Sequence, residues 1–185
     1  MKAARYYTAK DIRVEEIPIP CISKKQIKIE VKCVGICGTD VHEYLHGPLL
    51  IPMKEPYPLN GHCGVTTLGH EISGVVVEIG DDVRSDRIKI GDRVVVEPLF
   101  RNPHDHFTVK GEYNLSEPFG GIGLMGNGGL AKYIVVEDYM VHKIPDNVSF
   151  EQGALVEPAA VAVHAIKMSN LQIGIIKIIQ LLFKY

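Results

Sequence analysis

At 185 residues the chain suits one domain, or one domain with part of another, and it is long enough to bury a core. Its 46% hydrophobic and 23% charged residues are ordinary for a globular protein, and a formal net charge of -2 offers no basic surface for nucleic acid or an anionic membrane. No apolar run reaches the roughly 18 residues of a membrane helix, no signal peptide opens the chain at Met1-Lys2-Ala3-Ala4-Arg5, and the four cysteines form no Cys-x-x-Cys pair, so a reducing cytoplasm is the expected setting.

In chain order, Ile27–Val34 alternates apolar and polar residues with the period of a half-buried strand, and Cys33 inside it reads as a structural thiol. Gly35-Ile36-Cys37-Gly38-Thr39-Asp40-Val41-His42 follows. It reads as a short helix entry, where backbone N–H groups favour a thiolate at Cys37. Residues 47–68 carry four prolines and read as a long surface loop, of a length that is often functional or mobile. Cys21 and Cys63 lie in loops without a motif.

Gly69-His70-Glu71 opens a β-branched run at Ile72–Ile79, and Arg93–Val96, Lys132–Val136 and Met140–Ile144 read as further strands. No crossover helices separate these strands before residue 149, so the body is expected to be an antiparallel or mixed barrel rather than a parallel sheet. Gly121-Ile122-Gly123-Leu124-Met125-Gly126 satisfies G-x-G-x-x-G, but Pro118 precedes it and a strand follows; it reads as a flexible hairpin approach and not as a dinucleotide turn. Ser149, with Gln152 three residues on, predicts a capping box and the first substantial helix. Pro158 should break or restart that helix, giving a second one over Pro158–Met168, with Glu157 at the junction.

Cys37, His70, Glu71 and Glu157 are metal-ligand types drawn from distant segments. That pattern fits a catalytic zinc with an open position better than a closed structural site of short Cys-x-x-Cys spacing. Each residue also has a plainer reading: a buried thiol, a satisfied core histidine, an outer-sphere carboxylate, an exposed helix-terminal carboxylate.

The five ordered motifs that carry these residues are Gly35–His42, Leu68–Gly74, Ile90–Val95, Gly128–Tyr133 and Gly153–Pro158. Over residues 1 to about 174 the chain resembles the zinc-dependent medium-chain alcohol and polyol dehydrogenases, most of all the 2,3-butanediol and sorbitol branch. The resemblance implies a mainly β fold with helices, a GroES-like partly open β-barrel over 1–148, followed over 149–185 by linking helices and the start of a Rossmann domain. It implies one catalytic Zn2+ held by Cys37, His70 and Glu157 with Glu71 or water fourth, and a proton relay through Thr39 and His42. The reaction implied is reversible NAD(P)-linked oxidation of a secondary alcohol or diol such as 2,3-butanediol. The alternatives are a sorbitol- or threonine-type dehydrogenase, or a zinc-binding GroES-like module without catalysis. A homo-oligomer is also consistent with the family.

Two departures from the family shape further expectations. Residues 97–130 contain no cysteine, so no structural zinc is expected; that lobe should be held by packing alone and be mobile around Pro103–Gly111. After Gly174 no further glycine follows, so the phosphate-cradling turn of a Rossmann domain is missing. The expectation is a truncated dehydrogenase, inactive alone, with an apolar tail at Gly174–Tyr185 that promotes association.

Overall fold

In the computed structural model, residues 1–84 and 86–169 are described. The expectations for Gly174–Tyr185 lie outside the described residues.

The strands are β1 (Lys2–Thr8), β2 (Asp11–Glu16), β3 (Gln26–Gly35), β4 (Thr66–Thr67), β5 (Glu71–Ile79), β6 (Arg93–Val96), β7 (Tyr133–Glu137) and β8 (Val141–Lys143). The helices are α1 (Gly38–His46), a single turn α2 (His106–Val109), α3 (Phe150–Ala154) and α4 (Val156–Met168). One sheet has the order β2-β1-β4 and the other β7-β3-β5-β6-β8, and every pairing is antiparallel. Residues 130–132 lace the two sheets together: Ala4 N donates to Leu130 O (2.8 Å), Val31 N to Lys132 O (3.0 Å) and Lys132 N to Lys2 O (3.3 Å). The result is the partly open antiparallel body that the run of short strands implies.

The main core lies on one face of the five-stranded sheet. Ile27 and Ile29 of β3, Ile72 and Val76 of β5, Val94 of β6 and Ile134 of β7 are all essentially inaccessible to water. Their alternation with Lys28, Glu30 and Val135 is what allows one face of each strand to be buried. A second cluster of Tyr6, Ile51 and Leu68, with Met53, Leu124 and Leu130 against it, fills the space beside the smaller sheet.

The segment 47–65 is the surface loop that its prolines suggest, mostly exposed, but two buried side chains anchor it. Ile51 and Tyr57 are buried, Tyr57 Oη donates to Pro118 O (2.9 Å), and Asn60 Nδ2 donates to Met125 O (3.0 Å). The prolines shape a path that still delivers apolar side chains inward.

The Gly121–Gly126 segment is no flexible approach. It is a buried turn closed by Gly123 N donating to Gly126 O (2.8 Å). Gly123 has φ +82, and a β-carbon there would lie 2.8 Å from the carbonyl carbon of Gly69, so this turn packs directly beneath the residue preceding His70. The pattern that mimics a phosphate-binding turn is occupied by close backbone packing.

At residue 149 the capping box forms as expected: Gln152 N donates to Ser149 Oγ (3.2 Å) and Ser149 N to Gln152 Oε1 (2.9 Å). The break between helices comes at Leu155, ahead of Pro158. Proline at the third position of α4 is tolerated because the N–H it lacks has no partner within the first turn.

Candidate metal centre

The register of β3 on β5 builds the centre. The pairing runs from Ile27↔Ile79 to Gly35↔Glu71, with irregularities at Lys28/Ile29 and Val31/Cys33 that bend the strand near its end. Because Gly35 lies opposite Glu71, the chain leaving β3 carries Cys37 to the same place as His70 and Glu71. Gly35 is also a spatial requirement, since a β-carbon there would collide with the Glu71 carboxylate. Gly69, at φ +93, turns the chain into β5 so that His70 and Glu71 enter side by side.

The potential ligand atoms of Cys37, His70 and Glu71 all lie within 4.8 Å of one another. His70 and Glu71 are buried and Cys37 is half-buried. Among the described residues this is the one group of three such side chains converging on a point. Cys37 is the N-cap of α1, and its N–H donates to Asp40 Oδ2 (2.9 Å), which fixes the helix start. Thr39 Oγ1 lies 3.6 Å from Cys37 Sγ and is half-buried, while His42, one turn on, is exposed with its ring 6.3 Å from that of His46.

Glu157 stands in the first turn of α4, half-buried, outside the tight trio but within its electrostatic reach. Burial pushes its carboxyl pKa up; His70 opposes the rise, and Glu71 and Asp40 add to it.

Asp40 has no role in the sequence reading. It is 4% exposed, and its Oδ1 faces His70 Nδ1 at 3.7 Å. Burial raises its pKa against the pull of His70 and the Cys37 and Gly69 N–H groups, with Glu43 adding to the rise. Neither Asp40 Oδ1 nor His70 Nδ1 has a hydrogen-bond partner. The signal available in sequence was an acidic residue three positions after an N-cap; its second contact depends on the fold.

A thiol, an imidazole and three crowded carboxyl groups suit a divalent cation of borderline softness. The cation would relieve the mutual repulsion of Glu71, Glu157 and Asp40. His104 and His106, the two histidines of the cysteine-free lobe, belong to no such convergence among the described residues.

Comparison with known proteins agrees with this chemistry. Residues 23–146 match the family described as the alcohol dehydrogenase GroES-like domain. The chain is 50% identical over 175 residues to (R,R)-butanediol dehydrogenase of Bacillus subtilis, covering 94% of this chain and 49% of that protein. It is 35% identical over 179 residues to sorbitol dehydrogenase of Bombyx mori, covering 93% and 47%. The crystal structure of 2R,3R-butanediol dehydrogenase from Bacillus subtilis superposes with a TM-score of 0.85 at 49% identity, over 92% of this chain and 48% of that one. The chain thus spans about half the length of the curated relatives it matches. No helix among the described residues is long and apolar enough to cross a membrane.

Proposed function

Because the chain belongs to the alcohol dehydrogenase GroES-like domain family, we propose that it supplies the zinc-binding half of an oxidoreductase that interconverts a small secondary alcohol or diol, such as 2,3-butanediol, with its ketone. The convergence of Cys37, His70 and Glu71 within 4.8 Å carries this reading. The choice of a butanediol over a sugar alcohol rests on 50% identity to the butanediol enzyme against 35% to the sorbitol enzyme. Residues 1–148 would be the zinc-binding body, and 149–185 the link into a nicotinamide-binding part.

A zinc ion at this site would act as a Lewis acid that lowers the pKa of an alcohol hydroxyl. Cys37 and His70 would hold it, with Glu157 closing the set and Glu71 or water in the fourth place. His70 would present Nε2, since Nδ1 faces Asp40. Thr39 would take the hydroxyl proton and pass it along the helix face to His42, which reaches solvent. Removing two electrons with a proton from carbon requires an acceptor, for which NAD(P) is the proposed partner.

The test is metal content. The purified protein should bind about one zinc per chain, and Cys37→Ser and His70→Ala should each lose it while keeping the fold. Unchanged zinc in Cys37→Ser would remove the site, and two tightly held zincs per chain would show that a second, structural site exists after all.

A further inference from the structure

The cysteine-free lobe is tied to the body at several points, and one guanidinium joins several segments at once. Residues 99–121 leave and rejoin the body at the Leu99↔Gly121 bridge, with Phe100 N donating to Gly120 O (2.9 Å). Arg101, at the base of this excursion, lies over two rings. Its guanidinium carbon is 4.1 Å from the ring centre of Tyr113, inside the excursion, and 4.5 Å from that of Tyr139, in the body. Its Nη2 donates to Glu97 Oε2 (3.0 Å), whose carboxylate also meets His142 Nε2 of β8 (3.4 Å). Arg101 N donates to Tyr139 Oη (3.2 Å), and Asn102 Nδ2 donates to Glu117 O (2.9 Å) across the excursion. A planar cation that lies over two rings and ion-pairs at its edge can tie three separate segments together without a metal.

The excursion forms one wall of a cavity of about 740 Å3 whose opposite wall is α4. Leu99, Tyr113 and Phe119 line it on one side and Val161 on the other, and Glu157 and His142 supply polar groups. The cavity thus reaches from the Arg101 clamp to the carboxylate beside the metal centre. Its mainly apolar lining suits the alkyl part of a short secondary alcohol.

We propose that Arg101 is a positioning residue that holds the 99–121 wall against Glu157 and so shapes the alcohol-binding cavity. The cavity's assignment to the alcohol rests on the function proposed above; the clamp itself does not. Lysine cannot do the same work, because a compact ammonium has no planar face to lay over both rings while it reaches Glu97.

The experiment uses the zinc-loaded chain with Arg101→Met and Arg101→Lys, followed by amide hydrogen exchange. A titration with 2,3-butanediol is read on the methyl resonances of Leu99 and Val161. Arg101→Met should speed exchange over 102–119 by about tenfold or more, while β3, β5 and the zinc content stay as in the parent. Arg101→Lys should recover only part of that protection. The diol should move the two methyl resonances in the parent, and Arg101→Met should need at least about fivefold more diol for the same shift.

Unchanged exchange over 102–119 would overturn the clamp, as would full recovery with lysine. Loosened exchange with an identical diol titration would overturn the positioning role. If the parent shows no diol response, the substrate reading fails, and the exchange result still decides the clamp. Should Arg101→Met fail to fold, Tyr113→Leu removes one of the two rings together with its hydroxyl contact to Glu97, leaves Tyr139 in place, and should loosen the same residues to a smaller degree.

Discussion

His70 Nδ1 faces Asp40 Oδ1 at 3.7 Å, both side chains are almost wholly buried, and neither atom has a hydrogen-bond partner. The same carboxylate holds the Cys37 N–H at 2.9 Å through its other oxygen. One aspartate therefore holds one member of the candidate metal trio by a hydrogen bond and faces a second through charge alone, and it does so from the helix that the first of them caps. Carboxylates behind metal-binding histidines fix the ring and raise its basicity.

Asp40→Asn keeps the size and one acceptor oxygen but removes the charge. It should weaken zinc binding by about 10–100-fold while leaving the denaturation midpoint near the parent value. A chelator competition titration reads the affinity. An affinity equal to the parent's would show that Asp40 serves only to cap α1.

Gly35→Ala should damage the same centre by a different route. The added methyl would occupy the space of the Glu71 carboxylate, so that side chain must swing away from Cys37 and His70. Gly38→Ala, where nothing lies within 4 Å, is the control and should be neutral or mildly stabilising within the helix. Zinc affinity should fall in the first and hold in the second; equal affinities would detach Glu71 from the site.

How much of this was legible follows from range. β3 announces itself because Ile27 and Ile29 alternate with Lys28 and Glu30, and the capping box at Ser149 is complete within four residues. β1 escapes because it buries Ala3 and Tyr6 three apart, with a register shift after Tyr6; Asp11–Glu15 of β2 does alternate, but over only five residues and with Ile12 and Val14 left exposed, so no buried face marks it. The trio Cys37, His70 and Glu71 was readable as chemistry. That Asp40 backs His70, and that Arg101 meets Tyr139 38 residues away, depends on strand register and on the path of a loop, which no local pattern encodes.

The Ile90–Val95 motif has its own acid test. Asp92 is 8% exposed and accepts from Lys89 N (2.8 Å) and from Lys143 Nζ (2.8 Å), tying the turn before β6 to the end of β8. Burial acts to raise its pKa, but Lys143 and the Lys89 N–H outweigh it, and the folded value lies below the ordinary one. A depressed folded pKa gives stability that is fully present above the unfolded value of about 3.9 and is lost as pH falls through the folded value. The urea midpoint of Asp92→Asn should therefore lie below the parent's at pH 7, and the gap should close below about pH 4. A gap independent of pH would mean that Asp92 acts through shape alone.

Glu43 offers the severest test of how the loop after α1 is held. It is fully buried, one turn beyond Asp40, and its carboxylate accepts from Leu49 N (3.0 Å to Oε2) and from Leu50 N. Those two N–H groups belong to the segment that carries Ile51 into the second core cluster. Removing the carboxyl group leaves two partly buried backbone donors without a partner, at about 1–2 kcal/mol each. Glu43→Ala should lower stability by about 2–4 kcal/mol, with Glu43→Gln intermediate because one amide oxygen remains to accept. Hydrogen exchange should rise at Leu49 and Leu50 first, and zinc affinity should fall less than in Asp40→Asn, since Glu43 touches no member of the trio. A Glu43→Ala protein with the parent's denaturation midpoint would show that the second core cluster fixes the loop without this carboxylate.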